Sequence, residues 1–430
     1  MKIENNKKLK FPNFGVGALL AGVYFYVAIN FSYSDVFGNE SRYYFLISQL
    51  LLIYFPVHFL FNNRLKVKLD YPFFFYFSLF VFSFYSCFLL GIAQSNYNTL
   101  IAFFKVFIIF FIIFYYVDNR KKFLIVLFSL FLSGFALYYF NKESVLISKM
   151  LYETFGDTSS NSRLYGTAGN ANQLTILAFC ALWASTTLFF YFKSKIYRFI
   201  FLSPLPFLFY LIILSGSKKG LLSILIFMAF VLLFHVKKIL FRRKIFKEPL
   251  LIFSFYVLVI LIMVLMFQYL TESYYGQRLY SALTLESVHG YDKARADLGF
   301  AALKMWMESP LWGKGFDNFR NLSAQYGAKP DTYSHSSLLG LLANLGVFGI
   351  FFYFGFLFLL IRKSLLFMKN IKNNKDIILL KFGTFFILIV VFFNLFAVLF
   401  FDKVLIPLLA SYAGYLFSLN KKNFSITKDR

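Results

Sequence analysis

Long apolar runs alternate with short polar turns along almost the whole chain. About 17 to 25 apolar residues are enough to cross a hydrocarbon core roughly 30 Å thick. Twelve segments follow that pattern: 14–31, 43–61, 71–92, 99–117, 123–140, 173–192, 197–214, 221–235, 250–270, 336–361, 377–401 and 404–419. They are apolar on every face rather than alternating, which argues against barrel strands and predicts helices. The expectation is an all-α, polytopic membrane protein of about 12 transmembrane helices, forming one membrane domain over residues 1–430. A single polar interruption stands out by its length: residues 271–335, inserted between the ninth and tenth spans. A polytopic protein that keeps one large water-compatible loop is expected to place its chemistry there.

Composition agrees with this class, since 60% of residues are hydrophobic, 15% are charged and 65 of the 430 are Phe. Charge adds the orientation. Short loops rich in Lys and Arg stay in the cytoplasm, and with Met1 inside, the seven segments that become cytoplasmic hold 29 of the 44 basic residues. Both termini are then cytoplasmic, and 271–335 becomes a large external, periplasmic loop. The net charge of +25 reads as a topology signal, so no nucleic-acid partner is expected, and the basic turn from Lys237 to Lys247 suits anionic headgroups. The N-terminus resembles a signal peptide in being basic and then hydrophobic. Residues 14–31 are long enough to span, however, and no small-residue cleavage pattern follows, so an uncleaved first helix is expected. Cys87 and Cys180 fall inside spans and imply neither a disulfide framework nor a metal site.

Four clusters on the predicted external face carry polar groups that the topology rule does not explain. The first is Ser162-Arg163-Leu164-Tyr165-Gly166-Thr167-Ala168-Gly169-Asn170-Ala171-Asn172. This turn can face an anion with its backbone N–H groups, or it can simply cap a helix through Asn170 or Asn172. The second, Ser215-Gly216-Ser217-Lys218-Lys219-Gly220, is so short that its flanking spans must form a hairpin. Its lysines either snorkel to headgroups or, beside small residues, hold a phosphate; the spacing is not that of a P-loop.

The third cluster lies in the long loop. It comprises Arg278 and then a helix starting near Arg295, with Leu298, Ala301, Ala302, Met305 and Trp306 at i, i+3, i+4 spacing and a stop at Pro310-Leu311-Trp312-Gly313-Lys314-Gly315-Phe316. Such an amphipathic helix could lie along the membrane surface. The fourth is Pro330-Asp331-Thr332-Tyr333-Ser334-His335-Ser336-Ser337, where loop becomes membrane helix. His335 is one of only four histidines and stands at a helix start. It is either a polar cap or a group poised to move a proton near neutral pH. Tyr274, Tyr275, Tyr280, Trp306, Trp312, Tyr326 and Tyr333 give the loop rings suited equally to sugar stacking and to interface anchoring.

In order and content these clusters resemble the bacterial O-antigen polymerase and O-antigen ligase superfamily. The resemblance rests on Arg163 to Gly166 followed by Asn170-Ala171-Asn172, on the Ser217 to Gly220 hairpin, on the Arg295-led helix ending in Pro-Leu-Xaa-Gly-Xaa-Gly-Phe, and on His335-Ser336 opening a Leu- and Gly-rich helix. It covers roughly the C-terminal two-thirds of the chain. It implies a GT-C-like glycosyltransferase of the bacterial cytoplasmic (inner) membrane, working on the external face. Such an enzyme passes a glycan from an undecaprenyl-pyrophosphate carrier to an acceptor sugar hydroxyl without metal or cofactor. Carried over to this sequence, Arg163, Lys218 or Lys219, and Arg295 neutralise the departing pyrophosphate, with Arg278 as a further substrate-binding cation, and His335 accepts the proton. Many relatives carry Arg at the hairpin, so point charges replace a bidentate clamp here and which lysine makes the contact stays open.

Two acceptors separate the readings within the family. A polymerase extends another carrier-linked repeat unit, whereas a ligase delivers the glycan to lipid A-core. The segment opening at His335 looks closer to polymerase relatives, so a surface-polysaccharide polymerase is the expectation. Its expected partners are the carrier-linked glycan, an acceptor glycan and membrane lipids, with a chain-length regulator protein left open. A lipid-linked glycan flippase or other transporter would instead place ionisable residues deep within spans, where Lys105 is the main candidate.

Overall fold

A computed structural model of the protein describes residues 15–31, 42–61, 70–90, 96–155, 170–215, 217–240 and 291–428. Among these residues every regular element is helical. In chain order they are α1 (Val16–Phe31), α2 (Arg42–Phe61), α3 (Tyr71–Leu90), α4 (Asn96–Tyr116), α5 (Arg120–Phe155), α6 (Ala171–Tyr191), α7 (Lys195–Leu202), α8 (Leu205–Leu214) and α9 (Lys218–Leu240). There follow α10 (Tyr291–Glu308), the single turn α11 (Phe319–Leu322), a 3₁₀ turn (Ser323–Tyr326), α12 (Ser337–Asn370), α13 (Asn374–Asn394) and α14 (Leu405–Lys428). Seven stretches are long and apolar enough to cross a membrane: Tyr71–Leu90, Asn96–Tyr116, Arg120–Lys142, Ala171–Tyr191, Lys195–Leu214, Ser337–Asn370 and Asn374–Asn394. Val16–Phe31, Lys219–Leu233 and Leu405–Asn420 are shorter apolar helices. The protein is thus a multi-pass, all-helical membrane protein. The predicted span 250–270 lies outside the described residues.

Two predicted spans differ from their helices for local reasons. Residues 197–214 split into α7 and α8 at Ser203 and Pro204, because a proline ring blocks the preceding turn and supplies no N–H. Residues 377–401 were expected to be one span, yet α13 stops at Asn394, and the apolar residues after it turn back over the bundle. Their backbone is satisfied by the start of α12. Both the N–H and the Oγ of Ser337 donate to the Ala397 carbonyl, at 3.0 and 2.9 Å, while Leu399 N donates to Ser337 Oγ at 2.7 Å. An apolar loop is allowed at this depth because its polar backbone groups find protein partners.

Helix α6 lies at the centre, with 18 of its 21 residues buried, so it faces protein rather than lipid on almost every side. Its hydroxyls cost little there, because Ser185, Thr186 and Thr187 each donate to the carbonyl four residues back. Trp183 stacks on Phe386 at 4.3 Å between centroids and donates its indole N–H to the Phe382 carbonyl. The ends of the bundle are tied differently. At one end Arg120 pairs with Asp376 at 3.2 Å and Lys363 pairs with Asp70.

At the other end the segment 309–319 docks into a break in α12. Gly346 has φ 63° and ψ −157°, which opens one turn of the helix. The freed groups bind the loop: Lys314 N donates to the Ala343 carbonyl at 3.0 Å, Gly315 N to the Asn344 carbonyl at 2.8 Å, and Val347 N to the Pro310 carbonyl at 2.9 Å. Asn344 Oδ1 accepts from Phe319 N at 2.7 Å. Only glycine fits this joint. A Cβ at Gly313 (φ 69°) would sit 2.3 Å from the Asn344 backbone, and one at Gly346 would sit 2.4 Å from that of Leu311.

Candidate functional site

The clusters singled out in the sequence meet at this glycine-jointed end. Asn170 caps α6 by accepting from Asn172 N at 2.8 Å, and Asn172 Oδ1 in turn accepts from Ser217 Oγ at 3.1 Å. Behind them the hydroxyls of Thr175 and Ser215 lie 2.7 Å apart. Gly220 allows this closeness, since a Cβ there would fall 2.2 Å from Thr175 Cγ2. The end of the first cluster and the hairpin of the second are therefore one joint, from which α9 departs with Lys218 as its first residue.

His335 is held by the serines around it. Ser336 caps α12 by accepting from Leu339 N at 3.3 Å, and its Oγ also lies 3.3 Å from the Asn394 carbonyl. Ser334 Oγ donates to the Ser336 carbonyl at 2.8 Å. Ser337 clamps the turn at 397–399 as described above. Between them His335 is forced to φ 56°, a left-handed conformation costly for a side chain with a Cβ. The same turn reaches the hairpin, because Lys219 Nζ donates to the Phe396 carbonyl at 2.9 Å. One short stretch after α13 thus brings Lys219 and His335 together.

The third cluster arrives on α10. Leu298, Ala301, Ala302 and Met305 are buried against Phe319 and Ala343, with Leu339 beside them. The i, i+3, i+4 face thus packs on protein, and the side that remains exposed carries Phe300, Leu303 and Met307. This docking leaves Arg295 exposed at the start of α10, within electrostatic reach of His335. The imidazole keeps an open face to solvent, yet partial desolvation by the atoms packed about it, followed by the charges of Arg295 and then Lys219, lowers its pKa from the ordinary value. The ring is consequently neutral, and able to accept a proton, at neutral pH.

The remaining predicted residues divide sharply. Arg163 and Arg278, with Tyr274, Tyr275 and Tyr280, lie outside the described residues. Of the other aromatic side chains, Trp312 packs against Phe348 and Phe82 at 5.0 and 5.7 Å, Trp306 donates to the Pro310 carbonyl, and the Tyr326 hydroxyl donates to Glu308 at 2.7 Å. These three are taken up by the protein itself, and Glu308 also pairs with Lys314 at 2.8 Å to close the loop. Lys105 is half-buried within α4. The cations that act on His335 are Arg295 and Lys219. Sequence reading missed the turn at 395–399, which looks like membrane span, and it missed Asp317 and Arg320, whose only signal was their place just after Gly-Xaa-Gly-Phe.

No curated protein matches the chain. Residues 204–354 match the family model described as O-antigen ligase, a stretch that runs from the start of α8 into α12 and carries Lys218, Lys219, Arg295 and His335. Over that stretch, about a third of the chain, the protein is similar to the O-antigen ligase and polymerase superfamily.

Proposed function

We propose that the protein is a surface-polysaccharide polymerase of the bacterial cytoplasmic membrane, with its site on the external face. It takes a glycan from an undecaprenyl-pyrophosphate carrier and transfers it to a hydroxyl of a second, carrier-linked repeat unit. One observation carries this reading: Lys219 and Arg295 come from separate elements to the exposed His335, Lys219 by way of the turn after α13 that Ser336 and Ser337 also bind. The acceptor hydroxyl gives its proton to a ring nitrogen of His335 while its oxygen attacks the anomeric carbon. The bond from that carbon to the phosphate oxygen breaks, and the pyrophosphate leaves on the carrier with its negative charge facing Lys219 and Arg295.

Charge grows on the leaving group as that bond breaks, so fixed cations stabilise the transition state more than the ground state. A positioned base adds roughly 10² to 10⁴-fold. Protein cations fill the role a metal would play, and Arg163, Lys218 and Arg278 are placed with them by the same reading. The basic turns predicted at the opposite end of the bundle support the assignment of faces.

The family description favours a second reading, a ligase that delivers the finished glycan to lipid A-core. Glycan analysis of a deletion strain separates the two. Single repeat units on core indicate a lost polymerase, and polymer accumulating on its carrier indicates a lost ligase. Carrier-linked units trapped on the cytoplasmic side would point to a flippase and overturn both.

A further inference from the structure

Beside His335 lies a polar constellation that the transfer step leaves unused. Asp317, Arg320, Tyr333, Ser334 and Asn344 line a small crevice, with Phe319, Val398, Phe400 and Phe401 as its apolar wall. Asp317 is only 6% exposed, and its Oδ2 is buried with no hydrogen-bond partner among the described protein groups. Arg320 Nε is buried and unpartnered in the same way. Unmet buried polar atoms are rare in folded proteins because each keeps its full desolvation cost.

The simplest remedy would be an ion pair between the two, and the protein does not make it. Arg320 instead turns Nη2 to Asp331 at 2.5 Å, an aspartate whose side chain is 76% exposed, and Nη1 to the Tyr333 hydroxyl at 3.1 Å. Its guanidinium lies 4.6 Å from the Tyr333 ring centroid. Backbone strain collects here too. Among the described residues the non-glycine positions with positive φ are Asp317 (58°), Asp331 (50°) and His335 (56°), and such conformations cluster at functional sites. Burial pushes the Asp317 carboxyl up to about 6, against the opposing pull of Thr99 and Arg320, so above that pH it is a charged acceptor.

A carboxylate and a guanidinium that line one crevice suit a hydroxyl, which donates to the first and accepts from the second. The crevice has room for a group about the size of one water, enough for a hydroxyl but not for a hydroxymethyl group or a sugar ring. Tyr333 offers a ring edge for the body of the sugar. Ser334 lines the crevice and precedes His335 directly, their α-carbons about 3.8 Å apart.

From this juxtaposition we infer that the Asp317–Arg320 crevice is the acceptor subsite: it grips one hydroxyl of the acceptor sugar and so presents a neighbouring hydroxyl to His335. The inference rests on the glycosyl-transfer reading above. It is tested with the full chain in detergent or vesicles, using carrier-linked glycan extracted from the producing cells as donor. The acceptor titrated is the same glycan freed from its carrier, and in parallel core oligosaccharide. Asp317→Asn keeps a residue that tolerates positive φ, and Arg320→Lys keeps the charge. Each is expected to raise the KM for acceptor at least tenfold, with the KM for donor within twofold and the melting temperature not lowered. An unchanged acceptor KM, or equal losses on donor and acceptor, overturns the subsite while wild-type transfer upholds the parent reading. Absence of transfer by the wild type to these acceptors and to a carrier-linked repeat unit alike overturns both.

Discussion

The interior around α6 and the cap built by residues 309–346 are both well packed, but they are held by different physics. In the interior, nearly all of α6 is enclosed by apolar and aromatic neighbours, and its hydroxyls return to their own helix. Such packing is non-directional and tolerates many substitutions of similar size. In the cap, position is fixed by backbone hydrogen bonds across an opened helix turn, and these depend on glycines at positive φ. His335 and Asp317 belong to the second region, and Arg295 and Lys219 approach it from α10 and α9. Directional contacts can hold a base and its cations within fractions of an ångström, which apolar packing alone does not guarantee.

The largest effect separates chemistry from structure within the cap. His335→Ala is expected to lower transfer roughly 10² to 10⁴-fold with membrane level and melting temperature unchanged; normal activity would remove His335 from the mechanism. Next comes the joint itself. Gly346→Ala places a Cβ against the Leu311 backbone and is expected to cost about 3 kcal/mol or more and to abolish transfer even where the protein remains folded. A cavity variant in the bundle, Leu177→Ala, is expected to cost a similar 2 to 5 kcal/mol, roughly, yet keep its activity per folded molecule. If both variants lose activity in proportion to stability, the contrast between the regions fails.

Asp317→Asn tests whether the cap carries a cost for function. The native carboxyl holds its proton more tightly than the unfolded one, whose pKa is about 3.9. Folding is therefore penalised as pH rises from that value to about 6, and the penalty is full above it. The variant should gain up to roughly 3 kcal/mol at pH 7 and nothing below about pH 4. A loss at pH 7 in thermal melting would contradict an unmet carboxylate. The smallest effect is at the hairpin, where Lys219→Ala should reduce transfer roughly tenfold more than Lys218→Ala, equivalent to about 1.4 kcal/mol. Equal, mild effects in a transfer assay would favour snorkelling for both.

Much of the bundle was legible because an all-round apolar run has few alternatives to a membrane helix. Its failures were instructive. Residues 395–401 are as apolar as the span before them, yet they form a loop, since hydropathy does not distinguish a lipid-facing helix from backbone satisfied by Ser337. The apolar face of α10 was read correctly as a face, but its partner was protein rather than lipid. At the site, His335, Lys219 and Arg295 could be picked out by residue type and order. Asp317 and Arg320 could not, because what marks them is an unmade ion pair, and sequence does not show which way an arginine turns. The glycines of Pro310 to Phe316 were visible as a helix stop, while their role as a backbone joint to Gly346 emerges only when the two segments are brought together.

The central claim is that Lys219, Arg295 and His335 act as one unit, the cations both receiving the pyrophosphate and keeping the base free of its proton. The most direct test is the pH dependence of kcat/KM for donor at saturating acceptor, in the wild type and in Arg295→Gln. Because partial desolvation and then both cations lower the pKa of His335, the acidic limb of the wild type should lie below the ordinary histidine value of about 6.5. In the variant it should move upward even as the maximal rate falls. Acidic limbs that coincide in the two proteins, or a wild-type limb at or above the ordinary value, would contradict the account.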